Sequence, residues 1–453
     1  MTAHYSSLKP SKNKFNGQIP SHWNDFPIRS VCKFKSIQNN IGEELLSVFL
    51  DRGVVRYSDT SGKQVHKPSD DMSKYQLVEP RDIVLNNQQA WRGSVGVSQY
   101  RGIVSPAYIV MSLDESINDR FVNYMIRNQA CVAQFVLASK GVGSIQRILS
   151  PTKLKSSFFT LPPREEQDQI VKYLDWKIST INKLINSKRK HIAHIEALKH
   201  AFINRTVILG INKKTSCKQT NVTWIGKIPE HWNVKPLCAL AKIKSICGVA
   251  NAQLLSVYLD EGVVPFSSRS EKRTNATSLD LSKYQLVENG DFVLNNQQAW
   301  RGSVGVSNYT GIVSPAYIVL SLDTNELDQQ YANYLFRSRA MVDQYLINSK
   351  GVGSIQRNLY WSTLKRISVV IPPKNEQLEI VNYIKKSETQ YNNIIIGLKG
   401  EVEHFEELKK KLISDAITGK IDVRGIYIPE YVEVEESFDE DLSNDDVDSS
   451  EVD

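Results

Sequence analysis

The sequence has few cysteines, no long apolar run and no recognisable catalytic signature. Its five cysteines, Cys32, Cys131, Cys217, Cys238 and Cys247, are an odd number without a CxxC pair, which argues against a disulfide framework or a zinc knuckle and fits a reducing cytoplasm. No stretch approaches the roughly 18 apolar residues of a membrane helix. The start, MTAHYSSLKPSKNKFNGQIP, lacks a charged region followed by an apolar core, so neither a span nor a signal peptide is expected. Gly-x-Ser-x-Gly, Walker-type and His-Glu-x-x-His patterns are missing, as is the Asn/Asp-Pro-Pro-aromatic tetrapeptide that holds an adenine for methyl transfer. Leu161 and Ile371, which precede the two Pro-Pro pairs, cannot hydrogen-bond an exocyclic amine. His191, His194 and His200 share a helix and read as a solvated flank, not a metal site. The expectation is a non-catalytic chain.

What is present is a repeat. Residues 73–110 and 282–319 differ at five of 38 positions: Pro80/Asn289, Arg81/Gly290, Ile83/Phe292, Gln99/Asn308 and Arg101/Thr310. At the same offset of 209, Gly17–Trp23 (GQIPSHW) returns as Gly226–Trp232 (GKIPEHW). At an offset of 210, Lys140–Arg147 returns unchanged as Lys350–Arg357, and Pro162-Pro163 as Pro372-Pro373. One module therefore occurs twice, and its target is expected to be touched twice.

Inside the module, Asp82–Leu85, Ser94–Val97 and Tyr108–Leu113 read as strands between turn residues, and Asp119–Leu137 and Asp328–Ile347 each show helical spacing. This gives an α+β globule of about 160 residues, within the ordinary range of domain sizes. Acidic residues just past each Pro-Pro pair open a long amphipathic stretch. Apolar residues then recur at Leu174, Ile178, Ile181, Ile185, Ile192, Ile195, Leu198 and Phe202, and at Ile384, Tyr391, Ile394, Leu398, Val402, Phe405, Leu408 and Leu412. Such spacing predicts two helices of roughly 40 residues, each about 60 Å long. They are expected to pair antiparallel along this seam; the alternative is that each packs on its own domain. The chain thus divides into 1–163, 164–206, 207–373, 374–420 and a tail, 421–453. From Glu430 onward the tail holds 12 acidic residues and no Lys or Arg, and disorder is expected there. Without it the formal charge rises from +7 to +19, which favours a polyanionic partner such as DNA.

Recognition chemistry repeats where catalytic chemistry does not. Asn86, Asn87, Gln88 and Gln89, like Asn295, Asn296, Gln297 and Gln298, offer side-chain amides that can bond adenine N6 and N7 together. Trp91 with Arg92, and Trp300 with Arg301, suit stacking and contact with bases or phosphates. An Asn that closes a strand also commonly caps a turn. Lys140, Gln146 and Arg147, and Lys350, Gln356 and Arg357, supply donors around a glycine-rich turn that fits a phosphate or is simply tight.

The tandem Ile-Pro-x-His-Trp entry, the Asp-x-Val-Leu-Asn…Trp-x-Gly-Ser-x-Gly-Val-Ser block and the Leu/Ile-Pro-Pro-x-x-Glu-Gln helix start resemble those of the specificity (S) subunit of type I restriction-modification systems, over nearly the whole chain. The resemblance implies two target-recognition domains (1–163 and 207–373) separated by two long antiparallel coiled-coil spacer helices (164–206 and 374–420). It also implies a non-catalytic chain that reads a bipartite site in double-stranded DNA; the shared amide stretch of the two copies adds the expectation of a near-palindromic site, and the cysteine content that of a cytoplasmic chain. Two methyltransferase (M) subunits and restriction/translocase (R) subunits would be its partners, and they would bring S-adenosylmethionine, ATP and Mg²⁺, none of which this chain need bind. The acidic tail lies outside the family's pattern. A stand-alone DNA-binding regulator or architectural protein, or the specificity chain of a related methyltransferase-nuclease, is the alternative reading.

Overall fold

A computed structural model describes residues 4–50, 52–60, 69, 71–141, 147–212, 214–222, 224–249, 252–259, 261–268, 281–352 and 356–436. The chain forms two compact units, one made of Met1–Arg189 with Gly400–Asp453 and the other of Lys190–Lys399. Each contains one copy of the repeat, but the first unit joins two stretches that are far apart in sequence.

In the first unit, strands β1 (Cys32–Lys35), β2 (Asp82–Asn86), β3 (Val95–Val97) and β4 (Tyr108–Leu113) form an antiparallel sheet in the order β1-β4-β2-β3. Successive side chains of a strand face opposite ways. Ile83 and Leu85 accordingly enter the large core with Trp23 and Phe121, while Val84 enters a smaller one with Leu46, Val48 and Val110. Burial on both faces explains why β2 reads as an unbroken apolar run. The Asp82 carboxylate, also buried, accepts hydrogen bonds from Lys35 Nζ (2.7 Å) and the Glu79 backbone N–H (2.8 Å), and so pins β2 to β1. Where one helix is expected over Asp119–Leu137 there are two, α1 (Asp119–Arg127) and α2 (Gln129–Ala138). Asn128 separates them because its backbone is extended and its side-chain oxygen caps Ala130 N–H at 3.0 Å. The long helix α3 (Arg164–Leu209) follows.

The second unit repeats this plan. Strands β5 (Ala241–Lys244), β6 (Phe292–Asn295), β7 (Val304–Val306) and β8 (Tyr317–Leu322) run in the order β5-β8-β6-β7, and α4 (Gln329–Phe336) and α5 (Arg339–Asn348) pack beside them. Lys244 again bridges Asp291 (2.7 Å) and Glu288 (2.5 Å). Helix α6 (Lys374–Ile417) comes last.

The two long helices use different stretches for different partners. The opening turns of α3 place Ile170, Val171 and Leu174 in the core of the first module, and Ile380, Val381 and Ile384 of α6 do the same in the second. Beyond them, within the first unit, Ile181 and Ile185 meet Val402, with Phe405 and Leu412 packed against the cluster. Lys188 pairs with Glu401 at 2.5 Å and Lys409 with Asn182 at 3.2 Å, so residue numbers fall along α3 as they rise along α6: the contact is antiparallel. In the second unit the Phe202 ring lies 5.4 Å from Tyr383 and 5.9 Å from Tyr391. Both packing modes read from the sequence therefore hold, each along part of the helix. The expected seam is wrong at Leu198, Ile394 and Leu408, which are exposed, whereas Ile395 turns inward. A strict three-and-four count drifts around a helix of 3.6 residues per turn.

Each module is fastened to a helix start by a carboxylate. Glu166, in the first turn of α3, accepts hydrogen bonds from Tyr5 Oη (2.6 Å) and Trp23 Nε1 (3.0 Å) and meets His22 Nε2 at 2.6 Å. Burial, and then the neighbouring Glu166 carboxylate, push the Tyr5 hydroxyl well above its usual range, so it stays a donor. Glu376 meets His231 (2.6 Å) and Trp232 (2.7 Å) in the same way. A helix end closes over each of these tryptophans. Gly419, past the end of α6, lies where a Cβ would come 2.3 Å from Pro20 Cδ, and Gly210, past the end of α3, where one would come 3.0 Å from Trp232 Cζ2.

The tail departs from expectation. Ile421 and Val423 are buried in the first core, Ile426 and Ile428 pack against it, and Gln169 Nε2 donates to the Val423 and Ile426 carbonyls at 3.2 and 2.9 Å. The segment stays against α3 as far as Glu436. Acidic composition had concealed four apolar residues that finish a core. Residues 437–453 lie outside the described residues.

One close approach yields a prediction. A Cβ on Gly102 would sit 2.3 Å from the Glu44 carbonyl oxygen, which is already held by Ile103 N–H at 2.8 Å, and Gly311 faces Gln253 in the same way. Gly102→Ala and Gly311→Ala should each cost about 3 kcal/mol, the upper end of overpacking penalties. Gly42→Ala, with open space around it, should cost almost nothing. Urea unfolding midpoints of the three variants provide the check.

Candidate nucleic-acid interface

The repeated amides form a tight turn that leaves β2. Asn86 accepts the Gln88 N–H on Oδ1 (3.0 Å) and the Gln89 N–H on its carbonyl (3.0 Å), so its side chain is spent on holding the turn. A short 3-10 turn, Ala90–Arg92, follows, anchored by fully buried Ala90. Trp91 Nε1 donates back to the Gln88 carbonyl at 2.9 Å, which fixes the indole beside the turn. Gln88 and Arg92 are exposed, while Asn87, Gln89 and Trp91 are half-buried. The second module reproduces the pattern: Asn295 Oδ1 accepts from Gln297 N–H (3.1 Å), and Trp300 Nε1 donates to the Gln297 carbonyl (2.9 Å). Gln297 and Arg301 are exposed, and Asn296, Gln298 and Trp300 half-buried. The side-chain oxygens of Asn87 and Asn296 are buried without a hydrogen-bond partner among the described residues. A buried oxygen in that state is stabilised by any donor that reaches it.

The arginines gather on the tryptophan. The Arg92 guanidinium lies 4.7 Å from the Trp91 ring centroid and that of Arg147 5.5 Å, so two cations share one aromatic ring. Arg147 reaches it because the Leu149 N–H bonds the Asn87 carbonyl at 3.0 Å, tying the strand pair Ser139–Lys140 and Ile148–Leu149 to the amide turn. Lys140 is exposed on that pair. In the second module Arg301 lies 4.6 Å from Trp300, and the Leu359 N–H bonds the Asn296 carbonyl at 2.9 Å. Here Arg357 Nη1 donates to the Leu346 carbonyl (3.3 Å) and Ser349 Oγ (3.2 Å), with Lys350 exposed on the neighbouring strand. Gln146 lies outside the described residues; Gln356 lies in the strand Gln356–Leu359, its side chain undescribed.

A hairpin that the sequence reading did not single out borders the turn. Ser94 Oγ donates to the Val48 carbonyl at 2.9 Å, and Ser303 Oγ to that of Val257 at 2.8 Å, so the pairs Leu46–Phe49/Gly53–Arg56 and Leu255–Tyr258/Gly262–Pro265 lie against the amide strands. This hairpin carries Arg52, stacked 4.7 Å from Phe49, and Arg56, stacked 4.8 Å from Tyr100. The second copy has Glu261 and Pro265 instead. Charge differences between two near-identical copies were the signal that could have marked it. Most of the flanking loops 56–72 and 265–281 lies outside the described residues.

Among the described residues no three His, Cys, Asp or Glu side chains converge as a metal site, and no helix is long and apolar enough to cross a membrane. The arrangement offers hydrogen-bond donors, aromatic surface and positive charge, the requirements of nucleic-acid contact.

Comparison with known proteins agrees with this chemistry. Residues 229–404 match the model of the type I restriction modification DNA specificity domain. The chain is 25% identical over 433 residues to the putative type I restriction enzyme MjaX specificity subunit of Methanocaldococcus jannaschii, covering 90% of this chain and 96% of that one. It is 19% identical over 430 residues to the StySPI specificity subunit of Salmonella potsdam, covering 89% and 90%. In fold it is similar to a chain from a solved structure described as the structural basis of complex assembly and conformational transition of the type I R-M system, with a TM-score of 0.60, 13% identity, and 89% and 99% coverage. A specificity-domain match over residues 229–404 and relatives aligned along almost their full length make this chain similar to type I restriction-modification specificity subunits, and the solved chain shares its fold.

Proposed function

We propose that the chain reads a bipartite site in double-stranded DNA, one half with each module, and directs adenine methylation or cleavage carried out by partner subunits. The observation that carries this reading is the duplicated turn, in which the same hydrogen bonds present Gln88, Trp91 and Arg92 in one module and Gln297, Trp300 and Arg301 in the other. Identical donors on identical scaffolds read the same base edges. Lys140 and Lys350, exposed beside the turns, supply phosphate contacts that set register. The helices offer docking surface to two methyltransferase subunits: Leu184 and Leu408 in the first unit and Ile394 and Leu198 in the second are exposed, and they match pairwise at an offset of 210. S-adenosylmethionine, ATP and Mg²⁺ belong to the methyltransferase and restriction/translocase partners, and this chain acts beside them, without catalysis of its own, on DNA in the cytoplasm.

The expected site is an interrupted, near-palindromic sequence whose halves diverge where Arg52 and Arg56 of one hairpin are replaced by Glu261 and Pro265 of the other. Co-expression with a type I methyltransferase subunit, followed by sequencing of modified adenines, tests this. Two unrelated half-sites would move specificity out of the amide turns and into the hairpins and the loops 56–72 and 265–281. Absence of any methylation that depends on this chain would remove the reading altogether.

A further inference from the structure

The segment after the last core residue is bound as a peptide ligand is bound. Past Ile428 the chain runs along α3 in the same direction as the helix, and α3 reads its backbone. Ser179 Oγ accepts the Val434 N–H (2.8 Å) and donates to the Val432 carbonyl (2.9 Å). Asn182 Nδ2 donates to the Val434 carbonyl (3.0 Å), and Asn186 Nδ2 to that of Glu435 (2.9 Å). The end is held by charge. Glu436 takes Arg189 on one oxygen at 2.9 Å and Lys409 on the other, while Glu433 meets Arg120 at 3.6 Å. Arg189 also pairs with Glu406 at 3.1 Å, and Lys409 with Asn182 at 3.2 Å, so the site is braced from both helices.

Among the described residues, the second unit shows the same surface without such a segment. Lys199 Nζ donates to Asn392 Oδ1 at 3.3 Å, the counterpart at an offset of 210 of the Lys409–Asn182 pair, and Thr389 stands where Ser179 does. Asn392 and Thr389 are exposed, whereas Asn182 and Ser179 are 7% and 4% exposed. Residues 431–436 make that difference. They contribute little to the core, since Val432 is 83% and Glu433 66% exposed. A segment held by polar contacts outside a core is the kind that opens without global unfolding.

We propose that this face of the α3–α6 pair is a binding site for an extended acidic peptide of a partner chain, and that residues 430–436 are an exchangeable self-ligand that occupies it. Backbone atoms of Val432, Val434 and Glu435 and the carboxylate of Glu436 carry the recognition, so a competitor needs an extended conformation and a carboxylate two residues beyond the doubly bonded one. A tethered segment competes at an effective concentration of the order of millimolar. A free peptide with a Kd of roughly 10–100 μM would therefore be shut out about 10- to 100-fold by the resident segment.

The test uses the full chain and a fluorescein-labelled peptide of the sequence Glu430–Glu436, followed by polarisation. Val434→Pro with Glu436→Lys removes the N–H given to Ser179 and reverses the charge facing Arg189 and Lys409, and so unseats the resident segment. The peptide should bind that variant saturably and at least tenfold more tightly than the unaltered chain. Adding Asn186→Ala or Arg189→Glu to the unseated chain should weaken binding at least tenfold; the alanine variant, at a partly exposed position, guards against loss of folding. A chain ending at Pro429 should behave like the unseated variant. Equal binding to the unaltered and unseated chains, no binding to either, or indifference to both site variants would each overturn the proposal. The last result would mean general attraction of the peptide to a basic surface.

Discussion

Glu166→Ala is expected to lower the melting temperature of the first unit by roughly 10 °C. Tyr5, Trp23 and His22 all converge on this carboxylate, and Tyr5 and Trp23 are themselves buried. Removing it leaves both buried donors without an acceptor, at about 1–3 kcal/mol each, or roughly 3–5 kcal/mol in all. In a unit of this size each kcal/mol shifts the melting temperature by about 2–4 °C. The carboxylate also faces the N-terminal dipole of α3, an interaction lost at the same time. Tyr5 further carries Arg424 over its ring at 5.1 Å, and His4 bonds the Lys420 carbonyl at 3.0 Å, so loosening Tyr5 loosens the junction between the start of the chain and the end of α6. The second module supplies an internal control. Glu376 is 37% exposed and receives two partners in place of three, with Lys214 in the position of Tyr5. Glu376→Ala should shift melting by less than half as much. Differential scanning calorimetry of both variants decides the matter, and equal shifts would show that the burial of Glu166 is not what matters.

The second large effect concerns DNA. On the function proposed, Arg92→Ala with Arg301→Ala should weaken binding to the cognate site by about 1–3 kcal/mol per half-site, or roughly 10- to 100-fold for each copy. Two half-sites read independently add their losses. Both side chains are exposed and lie on their own tryptophans, so folded stability should hardly change. Salt dependence separates the roles: loss of a phosphate contact lowers the slope of log K against log salt by about 0.9 for each contact, whereas loss of a base contact leaves the slope alone. Arg147→Ala should act on the slope, because Arg147 is tied to the hairpin that carries Lys140. Unchanged affinity of the double variant, with melting also unchanged, would take the amide turns out of the interface.

Much of this protein was legible in the sequence because its information is local. Near-identity of residues 73–110 and 282–319 meant two copies of one module, and acidic residues after Pro-Pro marked helix starts that lie at Arg164 and Lys374. The turn between Asn86 and Arg92 was visible as a recognition element, but not the division of labour within it. Asn86 became a cap and Gln88 an exposed amide because of one hydrogen bond, and Arg147 reached Trp91 because of another, between residues 62 positions apart. Asn128 ended a helix that periodicity alone would have continued, since capping outweighs an apolar pattern at one position.

The sequence alone determined the duplication, the two long helices, the absence of familiar catalytic motifs and the chemistry offered to a polyanion. Only the tertiary structure decided which distant segments share a unit. Residues 416–423 complete the core around Trp23, and acidic residues 433 and 436 bind Arg120, Arg189 and Lys409 where composition suggested a free tail. Periodicity states that a face is apolar, and charge states that a segment prefers a partner. Neither names the partner, because burial free energy depends on which surfaces meet in three dimensions and not on their separation along the chain. That is why Ile395 turned inward while Ile394 stayed in solvent, and why the end of the chain belongs to its first module.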